Sequence, residues 1–301
     1  MPVNAVEPIA VVGASCLFPY ATTPEAFFAN IMQRRALYRP LSAKRMGLDP
    51  ESLKGNPSEL SKTCSTVASF VEESVDLSPF VDLIPEIDRL DPFFHWVLHL
   101  AHQALKQSKV KDRSRTGLIL GNLTFATEQA EEALENMLLI NIARGLGLKP
   151  PKISLQSEDL FQSALPAQMA ARVLNLGLGA YALDAACASG LYAIELACRE
   201  LRMFKADSML AMGVNRCEMA ALTVGFSQLG ALSPTGQCQP FGQAANGLVV
   251  GEGGGALVLK RLSDAIRDQD EILVLIRGGG LSCDGKSSGM LAPSSEGQIR
   301  A

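Results

Sequence analysis

The chain has 301 residues, 48% of them hydrophobic and 6% aromatic, and a formal net charge of −4. That length can bury a substantial core in one α/β domain of ordinary size. The charge balance gives no basic footprint for nucleic acid or an anionic membrane, and the scarcity of aromatic residues leaves no stacking platform for bases. Seven cysteines (Cys16, Cys64, Cys187, Cys198, Cys217, Cys238, Cys283) form no Cys-x-x-Cys pair and are odd in number. This argues against a zinc site and a disulfide framework and points to a reducing cytoplasm. Residues Met1 to Pro8 carry no basic stretch followed by a long apolar one, so no signal peptide is predicted. No apolar run approaches the about 18 residues of a membrane span.

In chain order, Ile9-Ala-Val-Val-Gly13 is a short apolar run closed by glycine and reads as a buried strand. Pro24 to Ile31 reads as a helix, with Thr22 or Thr23 placed to cap it. From about Ala36 to Val81 the chain is rich in Pro, Ser, Lys and Glu without sustained periodicity, so a long irregular surface segment is expected. Asp91-Pro92 opens the next helix, the aspartate as cap and the proline in the first turn. Thr116 to Gly121 is a second buried strand, Glu128 to Ala143 a helix, and Gly145 to Ser157, with Pro150-Pro151, a connection. Ala180 to Leu183 reads as a short buried strand, and Ser208 to Gly213 and Gly255 to Lys260 as further strands around a turn at Ser233 to Gly236. Leu273 to Arg277 begins one more. Strands alternating with helices predict a mainly parallel sheet covered on both faces.

Cys187 follows the strand Ala180 to Leu183 and precedes a segment in which Leu191, Ile194, Cys198 and Leu201 recur at helical spacing, with Glu195, Arg199, Glu200 and Arg202 off that stripe. A thiol where a strand turns into a helix faces unpaired N–H groups and the positive end of the helix dipole, and is placed to act as a nucleophile. The small residues around it leave room for a substrate, and its own N–H can serve as an oxyanion donor. The alternative on this local pattern is a buried core cysteine.

Two other patterns point to different chemistry and are weaker. His95, His99 and His102 share one helix face at i, i+4 and i+7, but Trp96 stands where a zinc helix places glutamate. A polar or half-buried helix face explains them better than a metal. Gly251-Glu-Gly-Gly-Gly255 leads into a strand-like run, whereas a dinucleotide fingerprint opens a helix, so close backbone packing explains these glycines.

Together the motifs give a specific signal. The chain resembles the β-ketoacyl synthases, the condensing enzymes of fatty-acid and polyketide synthesis. The resemblance runs through Ile9 to Gly13, Leu90-Asp91-Pro92, Thr116 to Gly121, Asp184-Ala-Ala-Cys187-Ala-Ser189 and Ala231 to Pro234. It continues through Gln239-Pro240-Phe241, Asn246-Gly247, Gly251 to Ala256 and Ala292-Pro293-Ser294. It implies a thiolase-like α/β fold, mainly its N-terminal half, with a mixed or parallel sheet, helices on both faces and the C-terminal half only begun. The N-terminal domain is expected over about 7–262 and the start of the second half over about 270–301, so the sequence is read as truncated. The resemblance makes Cys187 the acyl-carrying nucleophile. The family's two catalytic histidines fall C-terminal to the last motif seen here, beyond Ala301, so no catalytic histidine is assigned in this chain. A second departure is Gly242, where the family shows aspartate after Pro-Phe.

The implied reaction is decarboxylative condensation of an acyl-cysteine with a malonyl thioester. It needs no nicotinamide or metal; phosphopantetheine arrives as the substrate arm of an acyl carrier protein. Expected partners are that carrier protein, a second copy in a homodimer, and further synthase domains C-terminal to this one, with no nucleic acid or membrane. The form Asp-Ala-Ala-Cys-Ala-Ser looks nearest to the ketosynthases of polyunsaturated-fatty-acid and iterative polyketide synthases. Two alternatives are a cysteine-dependent acyl hydrolase or acyltransferase, which lacks a histidine downstream of Cys187, and a non-catalytic partner or degenerate half.

Overall fold

The computed structural model describes residues 6–123, 127–151, 158, 163–216, 219–286 and 292–301. In chain order the regular elements are β1 (Ile9–Leu17), α1 (Pro24–Met32), β2 (Arg39–Pro40), α2 (Ala43–Met46), α3 (Pro50–Leu53), β3 (Val67–Ala68), α4 (Pro92–Gln107), β4 (Thr116–Gly121) and α5 (Glu128–Gly145). They continue as α6 (Leu165–Val173), β5 (Ala180–Leu183), α7 (Ser189–Arg202), β6 (Ser208–Asn215), α8 (Met219–Gln228), β7 (Gly253–Arg261), α9 (Leu262–Arg267), β8 (Val274–Ile276) and α10 (Ser295–Arg300).

Six strands form one sheet in the order β5-β4-β6-β7-β1-β8. The strands β5, β4 and β6 run parallel, whereas β7, β1 and β8 pair antiparallel, so the sheet is mixed rather than mainly parallel. The strand expected near Leu273 to Arg277 is β8, which pairs with β1 at the outer edge of this sheet through Ile9–Ile276 and Val11–Val274.

Side chains alternate across the sheet. On one face Ala10, Val12, Leu118, Leu120, Leu210 and Val258 pack against α4 and α6. On the other, Ile9, Val11, Ile119, Met209, Ala211 and Leu259 pack against Ala193, Ala197, Cys198 and Leu201 of α7. Both caps predicted at helix starts are present: Thr23 Oγ1 accepts from Ala26 N–H (3.2 Å) and Asp91 Oδ1 from Phe93 N–H (2.7 Å). A register shift in β1 between Val11 and Gly13 turns Ala14 N–H toward Gln107 Oε1 (2.7 Å), which ties the bulged strand to the last turn of α4.

Three expectations change. The irregular segment 36–81 is not confined to the surface. Leu41, Met46, Ala68 and Phe70 are buried against Met219, Leu222, Leu232 and Val250 as a third apolar cluster, because α2 and the β2-β3 ribbon bring its scattered apolar residues onto α8. The strand β5 is not buried: among the described residues it bonds only to β4, and Tyr181 is exposed. In α7 Cys198 and Leu201 of the expected stripe are buried and Ile194 is partly buried against the same cluster, but the stripe does not begin at Leu191. Leu191 is 70% exposed, while Ala193 and Ala197 take the sheet-facing positions because only small side chains fit there. The part of the expected connection over 152–157 lies outside the described residues. No helix among them is long and apolar enough to cross a membrane.

Arg261, at the end of β7, ties several elements together. Its Nη1 donates to the carbonyls of Leu201 (2.8 Å) and Ala206 (2.6 Å), Nε to Asp264 (2.5 Å) and Nη2 to Asp207 (2.7 Å), and its guanidinium stacks over Phe204 at 4.7 Å. A leucine there would leave the buried Ala206 carbonyl without this donor, take one of two donors from the Leu201 carbonyl, and leave Asp264 with Arg267 alone. Arg261→Leu is expected to cost about 3 kcal/mol in urea denaturation. A loss under about 1 kcal/mol would show that these bonds do not hold α7, β7 and α9 together.

Candidate functional site

The turn that carries Cys187 sits at the C-terminal edge of the parallel strands. The strand β5 is in register with β4 through Gly121 and Leu183, and Asn122 N–H continues the ladder to the Leu183 carbonyl (3.0 Å). Helix α7 can start here only because glycines line the contact. A Cβ on Gly121 would stand 2.5 Å from the Ser189 carbonyl carbon and 2.8 Å from Gly190 N, and one on Gly213 would stand 3.3 Å from the Gly190 Cα. Backbone therefore meets backbone between the first turn of α7 and the ends of β4 and β6.

Between strand and helix, Asp184 Oδ1 accepts from Ala186 N–H (2.8 Å), an Asx turn. Ser189 Oγ accepts from Ala185 N–H (2.9 Å) and donates to the Ala186 carbonyl (2.6 Å), so one buried hydroxyl closes the loop from inside. Ala186 adopts φ +52°, a left-handed conformation that costs about 1 kcal/mol or more for a non-glycine residue and persists where its surroundings impose it. The remaining bonds of the turn run from Ala188 N–H to the Ala185 carbonyl and from Ser189 N–H to the Ala186 carbonyl. The Cys187 N–H takes part in none of these bonds.

Cys187 itself is exposed, so the alternative of a buried core cysteine does not hold. It lies two residues before Ser189, where α7 begins, and so just outside the helix's first turn. The other cysteines have different surroundings. Cys16 and Cys198 are buried, and burial pushes both thiols up to about 11. Cys64 is half-buried, with Sγ 3.7 Å from the Leu232 carbonyl, and Cys238 and Cys283 are exposed. Cys217 lies outside the described residues.

The three histidines are not brought to Cys187. They belong to α4, on the sheet face opposite α7. His95 Nε2 lies 2.8 Å from the Ile87 carbonyl, His99 Nδ1 3.5 Å from the Asp76 carbonyl, and His102 packs edge-on against Phe80. Burial lowers the pKa of both His99 and His102, and for His102 the nearby Lys106 charge acts in the same direction. They serve separate contacts rather than one common centre.

The glycine-rich run 251–255 enters β7 as backbone packing. Its charged member, Glu252, is buried, accepts from Val71 N–H (2.9 Å) and pairs with Arg45 at 2.6 Å, clamping the irregular segment to the strand start. Burial raises the Glu252 pKa against the opposing pull of Arg45. Gly242 lies in an exposed turn where its N–H donates to the Gln239 carbonyl (3.0 Å). A Cβ there would stand 3.2 Å from that oxygen, close enough to require a small shift. Beside the first turns of α7 lies an apolar cavity of about 330 Å³, lined by Ala14, Cys16, Phe27, Gly190, Ile194 and Gly213 among others.

The sequence located Cys187 and the motifs around it but not the work of Asp184, Ser189, Gly121 and Gly213. All four fall within or beside apolar runs that read as strand or helix. The available signal was the pair of small polar residues flanking Cys187, Asp184 and Ser189, which are turn formers.

A family profile described as the N-terminal domain of β-ketoacyl synthase matches residues 6–265, and the chain belongs to that family. It is 33% identical over 303 aligned positions to a phenolphthiocerol/phthiocerol polyketide synthase of Mycobacterium tuberculosis, a match covering 97% of this chain and 15% of that protein. The chain thus spans about a seventh of that relative's length. Among solved structures, a PfaC ketosynthase-chain length factor superposes with a TM-score of 0.88 at 32% identity, covering 97% of this chain and 33% of the other. The ketosynthase from module 6 of the bacillaene synthase of Bacillus subtilis 168 superposes with a TM-score of 0.76 at 27% identity, covering 97% and 47%.

Competitive alkylation near pH 7.5 with mass-spectrometric mapping is expected to label Cys187 faster than Cys238 or Cys283, and to leave Cys16 and Cys198 unmodified in the folded chain. Faster labelling of Cys198 would overturn the assignment of the reactive thiol. Ser189→Ala frees the Ala185 N–H and loosens the turn. The Cys187 labelling rate should then fall about tenfold, with Cys238 unchanged.

Proposed function

We propose that this chain supplies the acyl-accepting part of a β-ketoacyl synthase. The thiolate of Cys187 attacks the carbonyl carbon of an acyl thioester on a carrier protein's phosphopantetheine arm. The new bond is the acyl–Sγ bond, the thioester C–S bond breaks, and the carrier sulfur leaves as thiolate and takes up the proton that the Cys187 thiol released on ionising. The Cys187 N–H stabilises the oxyanion. In the family's reaction two histidines assist loss of carbon dioxide from a malonyl thioester. The resulting carbanion attacks acyl-Cys187, forms the new carbon–carbon bond and returns the sulfur as thiolate. The product is a 3-ketoacyl thioester. No metal or nicotinamide enters this balance.

The observation that carries this reading is the exposed thiol on a turn held from both sides, with an N–H that no bond of the turn consumes. A hydrolase reading needs a base beside Cys187, and all three histidines sit across the sheet. Resemblance to polyketide synthases supports a multidomain parent with an acyl carrier protein partner, and a cytoplasmic setting follows from that reading. The form of the Asp184 to Ser189 run supports a synthase of the polyunsaturated-fatty-acid or iterative polyketide type.

The free edge of β5, with Tyr181 exposed beside the Cys187 turn, supports a homodimer formed across that edge. Leu191 on α7 and Phe28 and Ile31 on α1 are exposed apolar side chains that a further contact would cover. Light scattering is expected to report a dimer or larger species. A stable, well-behaved monomer would contradict the dimer.

Supplied with an acyl primer and malonyl carrier protein, these 301 residues should form acyl-Cys187, seen by intact-mass spectrometry and absent in Cys187→Ala. They should release no carbon dioxide or 3-ketoacyl product above background, since removing residues that act together costs on the order of 10⁴-fold or more. Condensation that depends on Cys187 would show that another residue of this half serves as base.

A further inference from the structure

At the opposite edge of the sheet from Cys187, the last turn of α4, the segment that follows it and α9 enclose an open groove of about 830 Å³ at the entry ends of β4 and β6. Strand β4 has six residues and spans about 20 Å, which separates this groove from the thiol. Seven cations line it against three carboxylates, although the whole chain has a net charge of −4.

Two of the three carboxylates are committed to ion pairs, Asp207 with Arg115 and Arg261 and Asp268 with Lys260 and Arg267; Asp112 accepts only from Ser114 N–H and sets one negative charge against the four cations of the other wall. On the other wall Lys106, Lys109, Lys111 and Arg113 have no carboxylate partner among the described residues. Lys109 donates to the Gln269 carbonyl and Arg113 to the Leu174 carbonyl, contacts that hold the side chains in place and leave their charge uncompensated. Their combined potential is attractive to anions along the length of the groove and is screened by salt.

We propose that this groove docks an acidic polypeptide segment of a partner domain or protein. A small anion is best held by polar groups that converge in a concave pocket. Here the free cations are instead spread along one exposed wall, in the manner of a surface that steers and registers a charged macromolecule. The half-buried Val110 on the floor gives such a segment an apolar contact between its carboxylates.

The test is fluorescence anisotropy with a fluorescein-labelled peptide of about twelve residues, alternating glutamate and glycine, at about 20 mM and about 150 mM salt. The protein is expected to bind at low salt and more weakly at the higher. The double variant Lys109→Glu, Lys111→Glu should weaken binding at least tenfold, while Lys44→Glu on α2 stays within twofold. Circular dichroism checks that each variant is folded. Should the charge reversal not fold, the milder pair Lys106→Gln, Lys111→Gln is expected to weaken binding at least threefold. Absence of binding at low salt, or equal binding by the folded groove variants, would overturn the proposal. So would displacement of the peptide by inorganic tripolyphosphate at lower concentration than by unlabelled peptide, which would make the groove a phosphate site. None of these readouts involves Cys187 acylation, so the two proposals fail separately.

Discussion

The contact on which the rest of the structure depends is backbone against backbone: the first turn of α7 resting on the ends of β4 and β6 through Gly121, Gly190 and Gly213. A side chain at Gly121 would lift the helix from the sheet, and one at Gly213 would press on Gly190. With the helix seated, Ala193 and Ala197 reach the sheet surface, Cys198 and Leu201 fill the space above Ile9, Val11 and Met209, and the strand-to-helix turn has only a few residues to close. A short closure forces the left-handed Ala186, and Asp184 and Ser189 hold it from either side. The exposed position of Cys187 is the outcome of that chain of constraints.

The same geometry explains what stays apart. Because strand side chains alternate, the sheet separates α7 from α4, and the histidines that share a helix face in the sequence are held away from the thiol. Their i, i+4, i+7 spacing describes the helix, and each ring finds its own contact in the segment from Asp76 to Ile87.

Much of this was legible in the sequence. Apolar runs ended by glycine placed β1 and β4, and Thr23 and Asp91 marked their helix starts, because strand burial and caps are local properties. In α7 the helical spacing picks out Cys198 and Leu201, which are buried, but not its sheet-facing start, where Leu191 is exposed and the smaller Ala193 is buried instead. The segment 36–81 has no periodicity, yet Leu41 and Phe70 are buried by α8, more than 140 residues away in the chain. The net charge of −4 is equally blind to distribution: carboxylates consumed by Arg261, Lys260 and Arg267 leave one wall of the groove cationic. Such pairings are long-range, and no local pattern encodes them.

The measurement that tests the central claim most directly is the rate at which folded Gly121→Ala reacts with a fluorogenic thiol reagent at Cys187, with Cys238 as the internal reference. The added methyl must push against the Ser189 carbonyl, so the account predicts a drop of at least tenfold at Cys187 and none at Cys238. Gly213→Ala, where the approach is looser, should show a smaller drop. A folded Gly121→Ala whose Cys187 reacts at the native rate would contradict the claim that glycine-mediated contact sets the Cys187 turn.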